Sequence, residues 1–150
     1  MRLSRWGQSP YETNADIAAE ATALSALVQV QSPGVDAEIV VVHSKILFGE
    51  AELDQAPSCR LLITTTSGTD HIDLAAMQAR EVVVARLPLA RRDAVGDTTI
   101  GMLLWGLHRW GALDAAAREG TWARAELPRL APRLLNSGPI GLVGLGVIGC

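Results

Sequence analysis

A chain of 150 residues is long enough for one domain with a real core, but short for an enzyme that must hold both a dinucleotide and a substrate. With 49% hydrophobic residues, 19% charged residues and a net charge of −3, the composition is globular, not disordered, and lacks the basic excess expected of a nucleic-acid partner. Cys59 and Cys150 have no paired spacing, which argues against a disulfide framework or a zinc cluster and points to a reducing compartment, the cytoplasm. The start of the chain has no apolar core of signal-peptide length, and the apolar stretch over residues 139–150 falls well short of a membrane span, so no targeting segment and no membrane partner are expected.

In chain order, residues 1–6 read only as a weak strand. Residues 14–27 are rich in alanine and read as a helix, and residues 27–31 as a strand closed by a turn at Ser32, Pro33 and Gly34. Three short runs rich in β-branched residues follow at even intervals, at residues 39–42, 61–65 and 82–85. Continuous apolar runs of this kind, unlike alternating ones, suit strands buried on both faces of a parallel sheet. Between them, residues 49–56 have helical composition and stop at Pro57, and residues 74–80 follow Asp73, a good N-cap. The resulting β-α-β-α-β order, with right-handed connections, predicts an α/β fold built as half of a doubly wound sheet.

Residues 87–92 form a basic link containing proline, after which Asp93 can cap a helix running to about Arg118. Its apolar residues, among them Ile100, Leu104, Trp105 and Trp110, cover most of the circumference and predict burial against more than one neighbour, as at a domain junction or subunit interface. Residues 120–137 read as an irregular loop that delivers the chain into a strand at residues 140–143.

Two constellations carry chemistry. Directly after the last predicted strand stands Gly144-x-Gly146-x-x-Gly149. In a dinucleotide fold the first glycine permits the tight turn, the second lets a pyrophosphate approach the backbone, and the third lets helix and strand pack closely. The bland alternative is a flexible glycine-rich tail. The second constellation is ITTTSGTDHIDLAAM, over residues 63–77. Here Ser67, Gly68 and Thr69 form the loop at the carboxyl end of a strand, where open α/β sheets place ligands and where successive N–H groups can make an anion nest. The alternative is an ordinary turn capped by Asp70 and Asp73, whose carboxylates would repel an anion unless turned toward backbone donors.

The segments TSGTDHIDLAA, VVVARLP, AVGDTTIGMLLWGLHR, REGTW and IGLVGLGVIG resemble, in order and spacing, the D-isomer-specific 2-hydroxyacid dehydrogenases, over roughly residues 37–149. The resemblance implies a flavodoxin-like substrate domain over residues 1–92, followed over residues 93–150 by the start of a Rossmann domain that binds NAD or NADP. It implies that Ser67, Gly68 and Thr69 hold the carboxylate of a small 2-hydroxy or 2-oxo acid, with Ser67 also touching the cofactor. Ser44 and Lys45 match the far wall of the substrate cleft. Gly144, Gly146, Val147, Ile148 and Gly149 match the backbone along the pyrophosphate, and Asp97 falls where the family usually carries Glu. It also implies a homodimer.

Departures limit what carries over. The opening strand is poor, Val147 stands where the family often has Arg, and the family's substrate-clamping Arg and its Glu and His for proton transfer have no counterpart among these residues. His43, His71 and His108 lack a carboxylate or hydroxyl at the spacing of a known dyad, so no catalytic residue is expected. His71 and His108 read as packing residues. The chain is accordingly read as an amino-terminal fragment, inactive by itself. Two alternatives stay open: a non-catalytic dinucleotide-binding sensor resembling the corepressors of this superfamily, and a broken gene product that persists as a folding unit.

Overall fold

A computed structural model describes residues 1–150, in two compact units, Met1–Ala90 and Arg91–Cys150. In the first unit β1 (Arg2–Trp6) leads to α1 (Asn14–Leu24), β2 (Gln29–Val30) and β3 (Ile39–Val42). The chain continues through α2 (Glu50–Gln55), β4 (Leu61–Thr64), α3 (Leu74–Ala79) and β5 (Val83–Ala85). All five strands are parallel, in the order β2-β1-β3-β4-β5. This is the doubly wound arrangement of flavodoxin-like sheets, whose order reverses beside β1.

The sheet has a core on each face because successive side chains in a strand point to opposite sides. Val40, Val42 and Leu62 pack with Trp6, Phe48, Leu53 and Met77 on the face covered by α2 and α3, while Leu3, Ile39 and Val41 pack with Leu24 and Val28 on the other. All four residues of β3 are buried, as its unbroken IVVV run requires of a strand covered on both sides. Full burial of side chains such as Phe48, Leu53 and Leu62 stabilises the unit by about 1.5–3 kcal/mol each.

The weak opening strand of the sequence reading is corrected: β1 is an interior strand, hydrogen-bonded to β2 on one side and β3 on the other, with Leu3, Ser4 and Trp6 buried. Its arginines are neutralised from elsewhere in the fold. Arg2 pairs with Glu38 at 3.2 Å, and Arg5 reaches Glu12 and Glu20, each at 2.9 Å. Helix α1 ends earlier than read, at Leu24, and residues 25–27 turn into β2, a strand of two residues. A capping box starts α1: the Thr13 hydroxyl accepts from the Asp16 N–H, and the Asp16 carboxylate accepts from the Thr13 N–H. Asp73 caps α3 as expected, accepting from the amides of Ala75 and Ala76, both at 3.0 Å.

The second unit departs further from the sequence reading. The expected single helix is two, α4 (Arg92–Leu107) and α5 (Trp110–Arg118), broken at Arg109, whose φ of 58° is left-handed. The Arg109 guanidinium donates to the carbonyl of Leu130 at 3.1 Å and holds the break in place. Asp93 lies in the first turn of α4, paired with Arg92 at 2.8 Å, and Arg91 occupies the cap position. The irregular loop contains a 3₁₀ turn at Ala123–Glu126 and a short helix α6 (Leu127–Leu130). Residues 140–143 are not a strand: a strand exists through a partner's backbone groups, and these residues have none. No residue of α4, α5 or α6 is buried, so the burial predicted for the apolar helix is not met within the chain; Met102 is 71% and Trp105 51% exposed. No helix is long and apolar enough to cross a membrane.

Candidate functional site

The register aligns Trp6 with Val42 and Val42 with Thr64, so the loops that follow β1, β3 and β4 begin side by side along the carboxyl edge of the sheet. Gly7 turns the chain after β1 with a φ of 80°, and a Cβ there would lie 2.9 Å from Ile46 and 3.3 Å from His43. Only glycine gives that conformation and that closeness without strain. Ser44 and Lys45, both exposed, thus follow β3, and Ser67, Gly68 and Thr69 follow its neighbour β4.

Hydrogen bonding polarises the loop over residues 66–69. Every carbonyl in it is engaged: Thr66 O accepts from the Leu87 N–H at 3.0 Å and Ser67 O from the Arg86 guanidinium at 3.1 Å. Gly68 O accepts from the Thr66 hydroxyl at 3.0 Å, and Thr69 O from the Ile72 N–H at 2.9 Å. The amides of Ser67, Gly68 and Thr69, in contrast, donate to no group of the chain. Ser67 and Gly68 are exposed and Thr69 half-buried, so these donors open to solvent. With the negative ends of the peptide dipoles engaged and the positive ends free, the loop presents a group of donors that suits an anion.

The two carboxylates beside the loop behave differently. Asp73 is turned away into the amides of α3, while Asp70 makes no hydrogen bond, and its Oδ1 lies 2.9 Å from where a Gly68 Cβ would stand. A side chain at 68 would thus press on the Asp70 carboxylate, which could swing aside, and no unusual φ is involved. Arg86, within the VVVARLP segment, has no role in the sequence reading, yet it both anchors Ser67 and brings a cation to the loop. Its place one residue past the end of β5, the neighbour of β4, is the signal that could have found it.

The histidines occupy structural positions. His43 is buried, and its Nδ1 accepts from the Lys45 N–H at 3.3 Å, shaping the loop of Ser44 and Lys45. His71 is buried, and its Nε2 lies 3.0 Å from the Thr64 hydroxyl. His108 stacks on Trp110 at 5.6 Å. Burial pushes the Cys59 thiol up to about 11, away from nucleophilic chemistry.

The glycine constellation belongs to the second unit. Gly144 has a φ of 96°, residues 147–149 form a turn, and a Cβ on Gly149 would collide with the Gly144 carbonyl oxygen. The first glycine thus supplies the turn and the third a backbone-to-backbone approach that no side chain permits, while Gly146 faces open space. Val147 and Ile148 are exposed on the turn.

A sequence profile described as "D-isomer specific 2-hydroxyacid dehydrogenase, catalytic domain" matches residues 6–126. The chain is 34% identical over 113 residues to a glyoxylate/hydroxypyruvate reductase of Arabidopsis thaliana, covering 75% of this chain and 35% of that protein. It is 35% identical over 116 residues to a glyoxylate reductase of Thermofilum pendens, covering 76% and 33%. The chain therefore spans about a third of the length of these curated relatives. Among solved structures, D-lactate dehydrogenase from Aquifex aeolicus, complexed with NAD and lactic acid, shares the fold with a TM-score of 0.81 at 22% identity, covering 99% of this chain and 46% of that one. An NADPH-dependent glyoxylate/hydroxypyruvate reductase from Sinorhizobium meliloti, in complex with NADP and malonate, aligns with a TM-score of 0.68 at 25% identity, covering 99% and 48%.

Proposed function

This chain belongs to the D-isomer-specific 2-hydroxyacid dehydrogenase family, and from that premise we propose that it supplies the acid-holding site of an NAD(P)-dependent oxidoreductase acting on the CH–OH group of a small D-2-hydroxy acid. The observation that carries the reading is the polarised loop, in which four consecutive carbonyls are engaged and the amides of Ser67, Gly68 and Thr69 are left free. Charge-assisted hydrogen bonds from such amides to a carboxylate are shorter and stronger than neutral ones. The Arg86 guanidinium adds attraction from the same edge, and Ser44 and Lys45 form the neighbouring wall, with Lys45 offering a second cation.

Gly144, Gly146, Val147, Ile148 and Gly149 would hold the pyrophosphate of NAD or NADP along their backbone. That cofactor supplies the hydride when bound. The chain's own residues bind and orient the acid: two or three amide N–H groups fix its carboxylate, which leaves carbon 2 directed away from β4. Glyoxylate and hydroxypyruvate, the substrates named for the relatives, are acids of the size that suits so small a cradle.

None of the three histidines stands as a general acid or base, since His43 and His71 are committed to loop structure and His108 to a tryptophan stack. These 150 residues by themselves therefore hold a 2-oxo acid without reducing it. The exposed Met102, Trp105 and Trp110 suit burial against a second copy, as a homodimer. The free thiols Cys59 and Cys150 suit the reducing cytoplasm.

Oxalate, a non-reacting mimic of a 2-oxo acid, tests the reading. Titrated into the ¹⁵N-labelled chain at millimolar concentration, it is expected to shift the amide resonances of Ser67, Gly68 and Thr69 first and most. Shifts confined to other basic positions, or none, would remove the site. Glyoxylate with NADH is expected to show no turnover, and measurable turnover would refute the statement that proton transfer is missing.

A further inference from the structure

His71 was set aside above as a loop-packing residue, yet its surroundings give it a definite task. A chain of three short polar contacts runs from its ring to the candidate anion loop. Nε2 lies 3.0 Å from Thr64 Oγ1, Thr64 Oγ1 lies 2.8 Å from Thr66 Oγ1, and Thr66 Oγ1 donates to the carbonyl oxygen of Gly68 at 3.0 Å.

Counting protons settles the direction of all three bonds. A carbonyl oxygen only accepts, so the single hydroxyl proton of Thr66 is spent on Gly68. Thr66 Oγ1 must then accept from Thr64, which spends the single proton of that hydroxyl. Thr64 Oγ1 can therefore only accept from the ring, and Nε2 must carry a hydrogen. The hydrogen on His71 Nε2 is thus demanded by a carbonyl three hydrogen bonds away.

The base of this chain is rigid. Thr64 is fully buried at the end of β4, and His71 is 8% exposed. The backbone carbonyl of His71 accepts from the Phe48 N–H at 2.8 Å, and the adjoining Ile72 forms a parallel bridge with Phe48, itself 1% exposed in the core. The ring is pinned to the core, whereas the loop it reaches is exposed at Ser67 and Gly68.

We propose that His71 is a positioning residue, whose Nε2–H drives a one-way relay through the hydroxyls of Thr64 and Thr66 to the Gly68 carbonyl and so aims the Thr69 amide at the substrate carboxylate. The last clause rests on the carboxylate reading of the loop; the relay itself does not. Turning the Gly68 carbonyl inward rotates the peptide plane it shares with Thr69, so the Thr69 N–H points the opposite way, toward the anion. Loss of any one link frees that plane.

Two measurements on the 150-residue chain separate the claims. Long-range ¹H–¹⁵N correlation of the imidazoles reports the tautomer: His71 is expected to show a protonated-type Nε2 and an unprotonated-type Nδ1, and the reverse pattern overturns the relay. Oxalate titrations then compare Thr66→Val, His71→Phe and His71→Gln with the unsubstituted chain. Thr66→Val, at a half-exposed position that spares the core, is expected to weaken oxalate binding roughly three- to tenfold, the loss of one hydrogen bond. His71→Phe should do the same, and His71→Gln, whose side-chain amide still donates, should recover most of the affinity. Unchanged oxalate affinity in Thr66→Val, with the sheet resonances in place, overturns the positioning role. If the unsubstituted chain takes no oxalate while His71 shows the protonated Nε2, the parent reading fails and the substrate role falls with it; the tautomer result tells this failure from that of the relay.

Discussion

Asp70 stands on the wrong side of the electrostatic account of the anion loop. Its neighbour Asp73 is neutralised by the first amides of α3, but the Asp70 carboxylate is exposed, without a hydrogen bond, and lies against Gly68. A like charge at this range lowers the affinity for a carboxylate, and salt screens it. Asp70→Asn keeps the shape and removes the charge. It is expected to tighten oxalate binding about two- to fivefold at low ionic strength, with the gain fading as salt is added. The amide shifts of Ser67 and Gly68 are the readout. Equal affinities at low salt would mean that the Asp70 carboxylate does not face the bound acid. The contrast between the two aspartates was foreseeable in kind, since the sequence places both beside the loop, but which one turns inward depends on where α3 begins.

Elements were legible in the sequence where one local cause decides them. Ile39–Val42 was readable as a strand because an unbroken β-branched run has no other buried use, and α3 because Asp73 caps it. β1 was not readable, because Arg2 and Arg5 are admissible in an interior strand only through Glu38, Glu12 and Glu20, whose proximity is a product of the fold. The strand expected at residues 140–143 failed for the converse reason: its apolar pattern was right, but a strand depends on a neighbour. The loop of Ser67, Gly68 and Thr69 was visible from its place after a strand, whereas the commitment of all its carbonyls required Arg86, Leu87 and Ile72 to be in place. The Glu38 contact also has a measurable signature. A hydrogen bond from the Arg2 N–H at 2.6 Å, with the Arg2 guanidinium second, holds the Glu38 carboxyl at about 2, against an ordinary value of 4.5. A depressed carboxylate stabilises the fold above its ordinary range and loses that contribution as pH falls through the folded value. Glu38→Gln is therefore expected to lower the thermal midpoint at neutral pH, and the difference should shrink below pH 4.5 and vanish near pH 2. Thermal melts followed by circular dichroism across that range check this; a gap independent of pH would contradict it.

Over the whole molecule, stability is unevenly shared. Every buried residue lies in the first unit, the last being Val82, while the second unit exposes Met102 at 71%, Trp122 at 83% and Val143 at 102%. Short helices without a buried face are marginal in water. Residues 1–90 alone are expected to fold with a urea midpoint close to that of the full chain, reported by Trp6, the single tryptophan they contain, which is buried against Phe48. Residues 91–150 alone are expected to show little cooperative unfolding. A shortened chain that stays unfolded would show that the division of the core is wrong. The position of β1 bears on how the sheet is held together. Its hydrogen bonding starts at Met1, whose carbonyl accepts from the Gln29 N–H, and β2 has no strand other than β1 to pair with. β1 is therefore held on both edges only once Ile39 stands opposite Leu3, well down the chain from it. Removing Arg2–Trp6 would strip two strands from the sheet at once, so a lesion in this one short segment does damage out of proportion to its length.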